Sequence, residues 1–124
     1  NNSLYDDIKN QIEVSQFFPT PKSKNIAFKI LEDITNEGYF EGDETLIAKE
    51  MGVNIGEIEK IRKRFAYLEP SGIGAKNMEE AFLFQLDNID VADDIYLLAK
   101  QMIENFKYIE NYQDEPLFKN VLHI

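Results

Sequence analysis

The sequence predicts an all-α protein with about seven helices in two small subdomains. Apolar residues recur at intervals of three and four along most of the chain, which is the period of an amphipathic helix. Residues that commonly cap helix N-termini precede several of these patterns: Thr20, Asp43, Asn54, Asn77 and Asp114. Only residues 38–42 are predicted to be extended. Helix is therefore the regular element that the sequence favours nearly throughout.

A proline-containing turn separates the first two predicted helices. Leu4, Ile8 and Ile12 form one apolar stripe on a helix that covers about residues 3–17. Residues 18–21 contain two prolines and end this helix, because proline cannot continue the backbone hydrogen bonding.

The second helix is predicted to begin after Thr20 and to end at Gly38. Thr20 fits the N-cap, and Pro21 fits the first helical position, where its missing N–H has no partner to lose. The apolar stripe of this helix comprises Ile26, Ala27, Ile30, Leu31 and Ile34. Gly38 fits the C-terminal cap, since glycine adopts the left-handed conformation readily.

The third helix begins a pattern that is typical of a helix-turn-helix. Asp43 is predicted to cap a helix over residues 44–51, and Gly52 to end it. Ala48, Gly52 and Ile58 have the spacing at which a small residue, a turn glycine and an aliphatic residue let two helices pack closely.

The fourth helix is predicted over about residues 55–67. Asn54 followed by Glu57 is a capping-box pattern, which marks its start. The residues predicted to face inward are Ile58, Ile61, Phe65 and Leu68.

A joint over residues 69–77 connects the two predicted subdomains, 1–68 and 78–124. Its defining residues are Pro70, Gly72, Gly74 and Asn77. Proline fixes its own φ, and glycine reaches conformations that other residues adopt only at a cost. The asparagine with Glu80 predicts a second capping box, which opens the next helix. Both a rigid turn and a hinge fit this composition.

The last third of the chain is predicted to hold three helices, over residues 78–87, 91–109 and 115 to the end. Asp114 is predicted to cap the last of them, with Pro116 in its first turn.

Residues 69–78 read Glu-Pro-Ser-Gly-Ile-Gly-Ala-Lys-Asn-Met and run into the apolar residues 82–86. This stretch resembles the core-binding region of the sigma-54 family of alternative bacterial sigma factors, whose joint reads approximately Asp-Pro-x-Gly-Val-Gly-Ala-Arg-Asp-Leu. Ala66 and Ala81 depart from the family, which commonly has glutamine and cysteine there. The resemblance covers about residues 4–86, and the remainder matches only in helical pattern.

The resemblance implies a docking role in bacterial transcription initiation. Such a domain holds the sigma factor on core RNA polymerase through the β and β′ subunits. Other regions, absent from this fragment, recognise promoter DNA, and a separate ATP-dependent activator of the full-length protein drives opening. The resemblance also implies a cytoplasmic location.

The polymerase-binding candidates combine a basic run with two further residues: Tyr39, Lys60, Arg62, Lys63, Arg64 and Lys76. Arginine and lysine bind acidic patches or phosphates, and an exposed aromatic residue can anchor an interface. A solvated helix face with internal pairs such as Glu59 to Lys63 explains the basic run equally well. Tyr39 fits packing inside the helical block equally well.

Charge favours a protein partner over nucleic acid. The net charge of −10 is uneven, because residues 1–77 carry 10 basic and 13 acidic groups while residues 78–124 carry 3 and 10. Cations supply most nonspecific DNA affinity, so the acidic second half is expected to repel DNA. Solubility alone explains this charge equally well.

A helix-turn-helix DNA-binding domain of a transcriptional regulator is the main alternative. Residues 54–64 would then be the recognition helix, although Glu57 and Glu59 oppose phosphates. A generic helical adaptor is a third possibility.

No catalytic, cofactor-binding or metal-binding residues are predicted, and an enzyme is not expected. The chain has no cysteine, a single histidine at position 123 and no phosphate-binding glycine loop. Adjacent acidic pairs such as Asp6-Asp7 point about 100° apart on a helix and are typical of helix starts. No apolar run approaches the roughly 18 residues that span a bilayer, so no membrane partner is expected.

Overall fold

The computed structural model describes residues 3–105 and confirms the all-α class. In chain order its helices are α1 (Leu4–Val14), α2 (Pro21–Leu31), α3 (Glu44–Met51), α4 (Ile55–Lys63), α5 (Met78–Asp87) and α6 (Asp93–Glu104). A 3-10 helix, Arg64–Tyr67, continues α4. The predicted helix that begins at residue 115, with its Asp114 cap, lies outside the described residues. None of the helices in residues 3–105 has the length and apolarity of a membrane span.

Side-chain caps fix the starts of the first five helices. Thr20 and Ser23 cap α2 reciprocally, since each backbone N–H donates to the other residue's side-chain oxygen at 3.0 Å. The remaining caps of these helices are Ser3, Asp43, Asn54 and Asn77. Each satisfies a backbone N–H group of a first turn that has no partner within its own helix. The N-caps predicted at Thr20, Asp43, Asn54 and Asn77 are confirmed.

The second helix ends earlier than predicted. α2 stops at Leu31, and Ile34 instead forms an isolated antiparallel bridge with Phe40. Gly38 lies in the turn between these two residues, with φ of +94° and its N–H bonded to the Thr35 carbonyl at 2.9 Å. The prediction that Gly38 caps α2 is therefore wrong, because Ile34 continues the apolar spacing of the helix without belonging to it.

The helix-turn-helix pair forms as its spacing predicts. Gly52 takes a left-handed conformation with φ of +68°, and the next N–H, from Val53, donates to the Ala48 carbonyl at 3.0 Å. Ala48 and Ile58 are both buried where α3 and α4 pack on each other. The end of the predicted fourth helix tightens into the 3-10 turn after Lys63.

One hydrophobic core unites most of the described chain. It extends from Ile8 in α1 to Phe84 in α5 and includes all four predicted inward residues of the fourth segment: Ile58, Ile61, Phe65 and Leu68. The buried hydrophobic residues outside this cluster lie on α5 and α6: Leu86, Leu98, Ala99 and Met102. Ile73 of the joint and Phe84 of α5 both belong to this core. The subdomain boundary predicted between residues 68 and 78 stays a prediction.

The joint pairs through its backbone with the turn between α2 and α3. The Gly74 N–H donates to the Gly38 carbonyl, and the Phe40 N–H donates to the Ala75 carbonyl, both at 2.8 Å. Gly72 and Gly74 have φ of +87° and +85°, so both use the conformation that favours glycine. These bonds and conformations support the rigid-turn interpretation of the joint.

Gln11 of α1 holds the start of the joint. Its side-chain amide donates to the Glu69 carbonyl at 2.6 Å, and its side-chain oxygen accepts from the Glu69 N–H at 2.8 Å. The Glu69–Pro70 peptide bond is cis. The entrance to the joint is thus paired with a helix 58 residues earlier in the chain.

Replacing Gly74 by alanine is expected to destabilise the domain more than the same change at Gly52. Both glycines have positive φ, so each alanine should lose about 1–2 kcal/mol from backbone strain. A Cβ at Gly74 would lie 2.9 Å from the Phe65 Cβ, whereas a Cβ at Gly52 would have nothing within 4 Å. Overpacking should add about 1–3 kcal/mol at Gly74 alone. Urea unfolding measures both losses, and equal losses would contradict the packing argument.

Candidate functional site

Arg62, predicted as a surface contact, points into the protein. Its side chain is only 2% exposed. The guanidinium donates from Nε to Glu44 at 3.0 Å, from Nη1 and Nη2 to Glu80 at 2.6 and 2.9 Å, and from Nη1 to the Gly74 carbonyl at 2.9 Å. The contact of Arg62 with a partner stays a prediction, and the use of its donors in the interior argues against it.

The Arg62 cluster, defined here as Arg62, Glu44, Glu80 and Lys76, joins four parts of the chain. Arg62 lies on α4, Glu44 begins α3, Lys76 lies near the end of the joint, and Glu80 lies in the first turn of α5. The exposed Lys76 ammonium pairs with the buried Glu44 carboxylate, and the Lys76 N–H donates to Glu80 at 2.8 Å. Lys76 is therefore a surface residue whose charge already has a partner.

Two aromatic rings lie close to the Arg62 guanidinium. Its central carbon is 5.7 Å from the centre of the Phe40 ring and 5.9 Å from the centre of the Phe84 ring. A cation near an aromatic face is attracted by the electrons of the ring. The rings therefore help to compensate for the water that the guanidinium loses on burial.

The environment of Glu80 lowers its pKa below the usual value. Burial by itself would raise the pKa, but the hydrogen bonds from Arg62 and from the Lys76 backbone, with the positive charge of Arg62, outweigh that effect. The same contacts correct the predicted capping box. Asn77 accepts from the Glu80 N–H at 2.8 Å, while the Glu80 carboxylate bonds Arg62 and Lys76.

The three other residues of the basic run are accessible but separate into two grooves. Lys60 and Arg64 line a groove of about 340 Å³ between α2 and α4. Lys63 lines a different groove, of about 290 Å³, with residues of α5 and α6. Arg64 is half-buried and donates one N–H to the Phe17 carbonyl at 3.2 Å. The basic run therefore does not form one continuous patch.

Tyr39 is half-buried beside an exposed apolar surface. It lines a groove of about 190 Å³ together with Pro70 and Gly72 of the joint and the side chains of Met78 and Phe82 on α5. Met78 is 61% exposed and Phe82 is 41% exposed. We call Tyr39, Met78 and Phe82 the apolar patch. Exposed apolar residues grouped in this way commonly mark a contact surface.

Sequence reasoning missed Lys22 and Glu44. Lys22 enters the α2–α4 groove from the first turn of α2, and its ammonium is 3.1 Å from a Glu57 carboxylate oxygen. Nothing in the local sequence distinguishes either residue from an ordinary solvated charge. The inward position of Arg62, by contrast, had a signal, since it follows the inward Ile58 by four residues.

These features define an all-helical domain that offers grooved surfaces for binding. Within residues 3–105, no group of three or more His, Cys, Asp or Glu side chains is placed to hold a metal ion.

A family model for the sigma-54 factor core binding domain matches residues 1–122. The chain is 37% identical over 123 residues to the RNA polymerase sigma-54 factor of Helicobacter pylori, covering 98% of this chain and 30% of that protein. It is 36% identical over 88 residues to the sigma-54 factor of Pseudomonas aeruginosa, covering 68% of this chain and 17% of that protein. The chain belongs to the sigma-54 core-binding domain family. The match also includes the last third, where sequence reasoning found only a helical pattern.

Replacing Arg62 by methionine is expected to destabilise the domain by about 3–5 kcal/mol, because it leaves a buried carboxylate without its main partner. Lys63→Met removes the same charge from the next, exposed residue and should change stability by less than about 0.5 kcal/mol. Urea unfolding at neutral pH compares the two variants. Similar stabilities would contradict a structural role for the buried guanidinium.

Glu80→Gln should remove part of the acid sensitivity of the domain. Because the pKa of Glu80 is lowered from its ordinary 4.5, its stabilisation is complete above that value and is lost as the pH falls through the folded-state pKa. Urea midpoints between about pH 7 and about pH 3 measure this loss. Glu79→Gln is the matched control on the exposed neighbour and should keep the wild-type profile. An unchanged profile in Glu80→Gln would contradict the assignment.

Proposed function

We propose that this domain docks on core RNA polymerase and holds a sigma-54-type factor there during bacterial transcription initiation. The observation that carries the proposal is the family match over residues 1–122. The chain spans about 30% of the Helicobacter pylori relative, so the activity of a whole factor is a further part of the proposal. That part comprises contacts to the β and β′ subunits, promoter DNA bound by other regions, an ATP-dependent activator and a cytoplasmic location.

The surfaces of the domain support docking through side chains that are accessible before the partner arrives. Arg62 is left out of the proposed contact set because it is buried. The remaining candidates are Tyr39, Lys60, Lys63, Arg64 and Lys76. Tyr39 belongs to the apolar patch, and buried aromatic anchors commonly supply much of the binding energy in protein interfaces. The cations would set orientation and association rate. The domain would thus act by binding, without catalysis.

Direct DNA reading by the helix-turn-helix pair is less well supported. Glu59 is exposed on α4 beside Lys60, and Glu57 is half-buried with its carboxylate 3.1 Å from the Lys22 ammonium. Carboxylates near the start of a recognition helix repel phosphates, and the net charge of the chain is −10. DNA binding is therefore an alternative outcome of the binding experiment.

Binding of the fluorescently labelled 124-residue chain to purified core RNA polymerase tests the proposal. We expect saturable binding that excess unlabelled chain displaces. A duplex DNA titration at the same moderate salt should show little binding, because the acidic surface opposes phosphates. DNA binding without polymerase binding would overturn the docking proposal in favour of the helix-turn-helix alternative. Binding to neither would leave a helical adaptor for another partner.

A further inference from the structure

The groove between α2 and α4 concentrates positive charge on a chain that is otherwise acidic. Lys22 from α2 and Lys60 and Arg64 from α4 line it together with one carboxylate, that of Glu57. The lining therefore has a formal charge of about +2, in a chain whose net charge is −10. Positive potential of this kind attracts a negatively charged ligand.

The cations of this groove have unused binding capacity. Among residues 3–105, the exposed Lys60 ammonium makes no hydrogen bond or ion pair. Arg64 uses one of its five N–H donors, on the Phe17 carbonyl. Lys22 is paired with Glu57, but the two side chains keep 63% and 40% of their surface exposed to water. Exposed pairs of this kind are weak, so an incoming carboxylate can share the Lys22 ammonium.

The groove also has an apolar component. Pro19, Ile26 of α2 and Ile61 of α4 line it beside the cations. Both isoleucines belong to the hydrophobic core and are nearly buried, at 2% and 6% exposure. A ligand that combines a carboxylate with an apolar side chain therefore matches this groove better than a simple anion does.

Two observations argue against nucleic acid as the occupant. The Glu57 carboxylate lies in the groove itself, where it would face the closely spaced phosphates of a duplex. Two of the first three positions of α2 also cannot donate to a phosphate, because the Ser23 N–H already donates to Thr20 and Pro21 has no N–H.

We propose that the α2–α4 groove binds an acidic segment of a partner protein. The carboxylates of that segment would pair with Lys60, Arg64 and Lys22, and a neighbouring apolar side chain would rest over Ile26 and Ile61. The assignment of this segment to core polymerase rests on the proposed function. If the partner is core polymerase, this proposal selects Lys60 and Arg64 from the basic contact candidates and adds Lys22 to them.

Charge reversal at Lys60 tests the proposal against a control on the neighbouring helix α3. Lys60→Glu is expected to weaken binding of the 124-residue chain to core polymerase by roughly tenfold or more, because it places a carboxylate against the incoming acidic segment. Lys49→Glu makes the same charge change at an exposed residue of α3 outside the groove, and should weaken binding less than about twofold. Circular dichroism and urea unfolding confirm that both variants fold.

A peptide titration separates this proposal from the proposed function. The probe is a synthetic amphipathic peptide with leucines on one face and glutamates on the other, and its glutamine counterpart is the control. Amide NMR shifts at Lys22, Lys60 and Ile61 are expected with the glutamate peptide, and Lys60→Glu should abolish them. A duplex DNA titration at the same salt is the third arm. Shifts at these amides with DNA but not with the peptide would assign the groove to phosphate and overturn the proposal.

The outcomes remain distinguishable if one proposal fails. Absence of polymerase binding by the wild-type chain overturns the proposed function. The peptide titration then tests on its own whether the groove binds acidic segments. If the wild-type chain binds polymerase, equal effects of Lys60→Glu and Lys49→Glu on that binding would overturn the proposal that the groove contacts polymerase. Absence of peptide shifts overturns it as a site for acidic segments.

Discussion

The arrangement of the helices depends most on the hydrogen bonds and ion pairs of the buried Arg62 guanidinium. A buried cation is tolerated only when its charge and its N–H groups are satisfied, and here the partners come from α3, the joint and α5. The helix-turn-helix pair, the joint and the following helix must therefore meet at one point. Such a cluster is weak evidence for high stability, but it strongly restricts how these elements can be arranged.

The tight approach of the joint follows from the same requirement. The Gly74 carbonyl accepts from Arg62, while its Cα lies against the Phe65 side chain so closely that a Cβ would lie 2.9 Å from the Phe65 Cβ. Glycine is required at position 74 for two reasons: the backbone has a positive φ, and Phe65 leaves no room for a Cβ. The Pro/Gly joint, whose composition fits a hinge as well as a rigid turn, has a buried centre at residues 72–75 and several hydrogen-bonded backbone groups.

Local chemistry made much of the fold predictable. The extents of α3 and α5 were predicted correctly because Asp43, Gly52 and Asn77 mark helix ends by their own hydrogen bonding and conformation. The end of α2 was predicted wrongly, because apolar residues at helical spacing continue to Ile34, which lies beyond the helix. The contact surfaces were only partly predictable. The two carboxylates that accept from Arg62, those of Glu44 and Glu80, each lie 18 residues from it in the sequence. Lys22 and Lys60 come together only because α2 and α4 pack on each other.

The contact of Gln11 with Glu69 has a consequence for how far the domain can be shortened. A chain trimmed to begin at α2 would keep the helix-turn-helix pair and the joint. It would lose Ile8 and Ile12, which are both fully buried, together with both hydrogen bonds that hold Glu69. The apolar surface beneath α1 would then face water. The smallest autonomous folding unit of this domain therefore includes α1, although the residues proposed to contact a partner all lie beyond it.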